Sequence, residues 1–257
     1  AKDADVNITV NDVAVANVSA DNVTAINALQ AATTGTVTAT IDGNAAQLDD
    51  LTASSAGGKA TMALTITVDD TTTASTGATI ADATSVAGTG VNFALGITDS
   101  FAAVTDGTAI HANIGKIDAK DANVNIIVND VAVANVSADN VTAINALQGA
   151  TTGTVTATID GNLAELDGLN ATGAGSKATM ALTITVDDAA SGAAGVTALN
   201  TIAAASTATV TSGNVSGTAS QLASLTASGT SATQAYTITV NDTATAVAGA
   251  AIADATS

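Results

Sequence analysis

Residues 1–70 and 119–188 align without a gap at an offset of 118, and 60 of the 70 positions are identical. This duplication constrains the fold more than any other feature: what the first copy forms the second forms too, and repeated units bury apolar faces by stacking on neighbours. A third, diverged copy covers residues 196–257, where VTALNTIAAAS echoes VTAINALQAAT, TASQLASLTAS echoes NAAQLDDLTAS, and AYTITVND echoes ALTITVDD. Residues 80–85 and 252–257 both read IADATS. The first occurrence continues into Val86, so the second is expected to be a cut in a longer array.

A finer period lies inside the copies. Nine segments alternate apolar and polar residues, the pattern of a half-buried strand. Their inward sets are Val6/Ile8/Val10, Val37/Ala39/Ile41, Leu64/Ile66/Val68, Val91/Phe93/Leu95/Ile97 and Val124/Ile126/Val128, followed by Val155/Ala157/Ile159, Leu182/Ile184/Val186, Val210/Val215 and Tyr236/Ile238/Val240. The eighth set keeps register only with a one-residue bulge near Gly213. The residues that follow the last inward positions, Asn11, Asp42, Asp69, Thr98, Asn129, Asp160, Asp187, Ser216 and Asn241, recur at a mean interval of 28.75.

Between strands the apolar spacing changes to three and four: Val23/Ile26/Leu29, Leu48/Leu51, Val141/Ile144/Leu147, Leu163/Leu166/Leu169, Val196/Leu199/Ile202 and Leu222/Leu225. That spacing predicts a short amphipathic helix in each period. Asp21, Asn44, Asp139, Asn162 and Thr218 stand where N-caps are expected. The expected fold is therefore an α/β repeat: a strand-helix solenoid with a parallel β-sheet, a period of about 29 residues, and one continuous array over residues 1–257. At about 4.8 Å per strand, eight intervals would give a rod of roughly 38 Å. The alternative is tandem all-β sandwich modules of roughly 118 residues, against which stand the helical spacings and the missing core Trp.

Composition narrows the chemistry. The 257 residues hold 61 Ala and 45 Thr, but no Cys, Trp or Pro, one His, one Tyr and two Phe. Five lysines, no arginine and 23 acidic residues give a net charge of −18, which argues against nucleic acid as a partner. One His and no Arg leave few acid–base or anion-stabilising groups, so no enzyme is expected. His111 lacks a nucleophile motif around it and reads as a solvated or capping residue, and Glu165 as part of a solvated helix face. No apolar run approaches the ~20 residues of a membrane span.

The segments TTGTVTAT (residues 33–40 and 151–158), the AxQL-xx-L stretches and IADATS resemble the Ala/Thr/Asp-rich repeats of giant marine cyanobacterial cell-surface proteins, a haemolysin-like, calcium-associated structural group. The resemblance implies an extracellular structural or adhesive protein of which this chain is a fragment. The G-G-x-G-x-D calcium nonapeptide is absent, so no calcium ligand is carried over from it.

Two constellations could carry function. Acidic residues recur where strands exit: Asp12, Asp42, Asp69, Asp70, Asp99, Asp130, Asp160, Asp187, Asp188 and Asp242. Stacked carboxylates about 4.8 Å apart repel by roughly 0.9 kcal/mol even in water, so a column of them would take hard cations, with Ca²⁺ the best match. The alternative is that Asp and Asn simply serve turns and caps. On the outward strand face stand Thr36, Thr38, Thr40, Thr65, Thr67, Thr154, Thr156, Thr158, Thr183, Thr185, Thr209, Thr237 and Thr239. A flat threonine field resembles the surface of ice-binding solenoids and could also meet glycans or a neighbouring filament, although Thr equally suits any solvated sheet. The expected role is mechanical: an acidic, cation-associated rod or filament at a cell surface, partnered by other copies of the same parent protein, with surface glycans as further candidates.

Overall fold

The computed structural model describes residues 4–11, 17–130 and 133–256. In chain order come β1 (Ile8–Thr9), α1 (Ala20–Ala32), β2 (Thr36–Gly43), α2 (Ala45–Leu48), β3 (Thr61–Val68), α3 (Ala74–Asp82), β4 (Val91–Phe93) and β5 (Ile97–Asp99). Next are α4 (Phe101–Val104), an antiparallel hairpin of β6 (Thr105–Asp106) and β7 (Ala109–Ile110), α5 (Ala112–Asp118) and β8 (Ile126–Val128). Then follow α6 (Ala138–Gly149), β9 (Thr154–Gly161), α7 (Leu163–Leu166), β10 (Thr179–Val186), β11 (Ala190–Ser191) and α8 (Gly192–Ala204). The chain continues through β12 (Thr209–Gly217), α9 (Ala219–Leu222), β13 (Thr233–Val240) and α10 (Ala246–Asp254). The class is α/β, with a curled parallel sheet and ten α-helices among the described residues.

Two compact units divide the chain that the repeat pattern reads as one array. The first comprises Ala1–Asp99 and His111–Ile127, the second Ser100–Ile110 and Val128–Ser257. In the first unit the sheet order β1-β2-β3-β4 is the chain order and each pairing is parallel. In the second, β9, β10, β12 and β13 pair in succession and in parallel, while short β11 continues beside the C-terminal half of β12. Parallel neighbours joined by helical connections exclude the sandwich alternative, whose sheets are antiparallel.

Alternation sets the core. Val37, Ala39 and Ile41 of β2 and Met62, Leu64, Ile66 and Val68 of β3 are buried, as are their counterparts Val155, Ala157 and Ile159 of β9 and Met180, Leu182, Ile184 and Val186 of β10. Burying each large aliphatic side chain contributes about 1.5–3 kcal/mol. The helices add Val23, Ile26, Val141, Ile144, Leu147, Val196, Leu199 and Ile202 to the same cores.

Three details differ from the sequence reading. The segment expected as one strand through Val91/Phe93/Leu95/Ile97 is two, β4 and β5, and Leu95 between them is 56% exposed. Gly96 turns the chain there at φ +78°, and a Cβ on it would stand 2.5 Å from the Asn125 carbonyl oxygen, so glycine is required twice over. The strands also pair two residues away from the alignment on last inward positions: Ile41 faces Ile66 and Asp42 faces Thr67, rather than Val68 and Asp69. Strand β2 extends inward to Gly43 and β3 begins at Thr61, one residue before inward Met62. Finally, the N-caps of α1 and α6 are Ser19 and Ser137, not Asp21 and Asp139; each forms a capping box with Asn22 or Asn140. The expected caps Asn44, Asn162 and Thr218 are present, and the bulge in β12 falls between Ser212 and Val215.

Candidate functional site

Helices α2, α4, α7 and α9 each have four residues, a single turn that is not stable by itself. What holds them is supplied from outside. In α2, α7 and α9 the N-cap side chain accepts the N3 amide: Asn44 from Gln47, Asn162 from Glu165, Thr218 from Gln221. The first helical amide is then taken by an aspartate from the following repeat. Ala45 N–H donates to Asp70 Oδ1 (2.7 Å), Leu163 N–H to Asp188 Oδ1 (2.7 Å) and Ala219 N–H to Asp242 Oδ1 (2.6 Å). The same bond starts α4, where Phe101 N–H meets Asp130 Oδ2 at 2.6 Å, and the longer α3, where Ala74 N–H meets Asp99 Oδ2 at 3.0 Å. A carboxylate at a helix N-terminus satisfies an otherwise orphaned amide and is favoured by the local dipole.

Asp42 and Asp160 use the same device on a turn. Asn17 and Asn135, at φ of 51° and 50°, donate their amides to Asp42 Oδ1 (2.6 Å) and Asp160 Oδ1 (2.5 Å). The next amides, of Val18 and Val136, bond the backbone carbonyls of the same aspartates at 2.9 Å. Seven of the expected acidic residues, Asp42, Asp70, Asp99, Asp130, Asp160, Asp188 and Asp242, thus fasten a repeat to the one before it. Among the described residues no side-chain bond accompanies Asp69 or Asp187, and Asp12 lies outside them. Among the described residues no three acidic or histidine side chains come together as a metal cage.

A second set of fasteners runs from helix to following loop. The Asn27 side chain donates to the Asp50 carbonyl and accepts from Thr52 N–H, both at 2.9 Å. Asn145 does the same with Gly168 and Asn170, and Asn200 with Ser224 and Thr226. Gln30 and Gln148 donate to the carbonyls of Ala53 and Ala171. A third set ties the end of a helical segment to the neighbouring strand: Thr84 Oγ1 donates to the Leu64 carbonyl and Ser206 Oγ to the Leu182 carbonyl, both at 2.6 Å. Sequence reasoning missed these residues. The available signal was the recurrence of Asn27 as Asn145 and Asn200, even in the diverged copy.

Within each unit the strand threonines occupy the positions that alternate with the buried apolar ones. Thr36 pairs with Thr61, Thr40 with Thr65, Thr154 with Thr179 and Thr158 with Thr183. Thr38 and Thr156 stand opposite Ala63 and Ala181, and Thr67 opposite Asp42 and Asn92. Thr185 lies between Asp160 and Thr211, Thr209 beside Thr233, and Thr239 beside Ser216. Thr237 is exposed on β13. In the sequence, Asn7, Asn11, Asn92, Ala94, Ile127 and Asn129 interrupt the field.

His111 caps α5, its Nδ1 accepting from Asn113 N–H at 3.2 Å, and Glu165 accepts from the Asn162 side chain at 2.7 Å. Among the described residues one carboxylate is enclosed: Asp121, 4% exposed, takes the Phe93 amide at 2.8 Å. Burial pushes its carboxyl above the ordinary value, against the lowering pull of amides from Phe93 and Asn123. Asp118 is also pushed up, first by burial and then by the charge of Asp121.

No protein-family model, curated protein or solved structure matches the chain. No helix among the described residues is long and apolar enough to cross a membrane.

Proposed function

We propose that this chain is a structural repeat protein: a strand-helix solenoid that serves as an acidic rod or filament at a cell surface, spacing or adhering rather than catalysing. The observation that carries this reading is the recurrence of one fastener, an aspartate whose carboxylate accepts a backbone amide 23 to 29 residues earlier. Polar groups that an enzyme would direct into a cleft are spent here on joining each repeat to the last. The resemblance to cyanobacterial surface repeats supports an extracellular setting. Cations, Ca²⁺ among them, accompany the −18 charge as counter-ions along its carboxylates.

Electron microscopy of the chain with one further 118-residue module inserted tests the reading. Four added strand intervals should lengthen the particle by roughly 19 Å at constant width. Particles that grow equally in all directions, or appear as beads on a thread, would contradict it.

The in-register threonine pairs favour a second reading, a sheet face that binds ice or carbohydrate. Replacing Thr38, Thr156 and Thr209 with Tyr should then abolish inhibition of ice recrystallisation or retention on a glycan surface with little change in melting. An unmodified chain inactive in both assays would remove this reading.

A further inference from the structure

One patch of sheet occurs three times in the same register, and its side chains change only in the third. In β2 and β3, Val37 pairs with Met62 and Ala39 with Leu64. In β9 and β10, Val155 pairs with Met180 and Ala157 with Leu182. In β12 and β13, Val210 pairs with Gln234 and Ser212 with Tyr236. The backbone frame is the same each time. The amides of Met62, Met180 and Gln234 donate to the hydroxyls of Ser54, Thr172 and Ser228. The carbonyls of Leu64, Leu182 and Tyr236 accept from the hydroxyls of Thr84, Ser206 and Thr256. Every side chain of the first two patches is apolar and buried.

In the third patch Ala has become Ser, Met has become Gln and Leu has become Tyr, yet the patch stays closed: Ser212 and Gln234 are 0% exposed and Tyr236 is 7% exposed. Ser212 Oγ, both polar atoms of the Gln234 amide and Tyr236 Oη have no hydrogen-bond partner among the described residues. Ser212 stands directly opposite Tyr236, and Gln234 is two residues from Tyr236 on the same inward face of β13. On the other side of β12 the same rows end in apolar residues of β10, Ile184 beside Val210 and Val186 beside Ser212. Buried polar groups in folded proteins are nearly always hydrogen-bonded, because each one left without a partner forfeits its solvation for nothing. Here four such atoms gather at positions that the other two copies fill with hydrocarbon.

We infer that Ser212, Gln234 and Tyr236 form an internal binding site for a neutral, hydrogen-bonding guest of water size, and that buried water occupies it. The hydroxyls and the amide both donate and accept, and none of the three side chains carries a charge, so an ion would find no counter-charge there. Burial pushes the Tyr236 phenol up, which keeps it protonated and able to donate. A buried water makes about three hydrogen bonds to protein groups, a demand that the four atoms can meet. The near-complete enclosure of all three residues favours a guest no larger than water. The site concerns one pair of strands and does not depend on the rod reading.

Tyr236 is the only tyrosine of a chain without tryptophan, so spectroscopy of the phenol reads this site alone. In the full unmodified chain, the Raman doublet of the ring should show a hydrogen-bonded phenol, and long-lived water should give nuclear Overhauser signals to the Gln234 side-chain amide. Oxygen-17 relaxation dispersion then counts long-lived waters in the parent and in the triple variant Ser212→Ala, Gln234→Met, Tyr236→Leu. That variant carries the residues that fill the same frame in β2–β3 and β9–β10, and it should hold at least one long-lived water fewer. The two measurements on the parent need no variant and decide the matter even if the triple variant does not fold. Three results would each overturn the inference: a phenol without a hydrogen bond, no water signal at the Gln234 amide, or equal numbers of long-lived waters in parent and folded variant.

Discussion

Asp70 and Asp69 are adjacent and differ in what they touch, which makes them a controlled pair. Asp70 accepts the first amide of α2, while Asp69 directs no side-chain bond to a described residue. Asp70→Ala should cost about 1 kcal/mol in urea denaturation, the usual loss for a removed cap, and Asp69→Ala should be near neutral. Equal effects would mean that charge alone matters at this position. Asn145 makes two bonds from one amide, so Asn145→Leu, which leaves the Gly168 carbonyl and Asn170 amide without it, should cost about 1–3 kcal/mol. Asp118 ends α5, where a negative charge opposes the helix dipole, and it repels Asp121. Because the folded protein raises both carboxyls, their contribution to stability is fully present below the unfolded value of 3.8 and is lost as pH rises through the raised folded values. Asp118→Asn should accordingly stabilise by about 0.5 kcal/mol at neutral pH, with the gain fading in thermal melts below that value. A gain that persists in acid would place its origin elsewhere.

At the scale of elements, alternation and duplication made most strands and long helices readable before any coordinates. The inward sets of β2, β3, β9 and β10 are buried as expected, and the bulge expected near Gly213 falls between Ser212 and Val215 of β12, with Gly213 and Asn214 exposed. What escaped was register. Gly43 lies beyond the last inward position read for its strand, yet it occupies a further inward position of β2, where a Cβ would stand 2.8 Å from Val18. That extension shifts the pairing, so Asp42 lies beside Thr67 and the acidic residues do not align as a simple column. The capping serines escaped too, since Asp21 and Asp139, two residues on, look equally suited to the role when the first helical turn is unknown. The aspartates themselves were legible as a recurring set. Their partners were not, because a bond to an amide some 25 residues earlier has no local signature.

For the whole molecule, a net charge of −18 on a chain with five lysines makes self-repulsion a general term. Melting temperature should rise with added salt, and sodium, magnesium and calcium compared at matched ionic strength should act alike. A calcium effect that saturates at micromolar concentration would instead reveal specific sites. The central claim is that each repeat is latched by the next through a carboxylate on a backbone amide. Site-resolved hydrogen exchange reads this most directly: the amides of Ala45, Ala74, Leu163 and Ala219 should be protected in the parent chain, and each should lose protection selectively when Asp70, Asp99, Asp188 or Asp242, respectively, is replaced by alanine. Exchange at those four amides that is fast in the parent, or indifferent to loss of its own aspartate, would contradict the account.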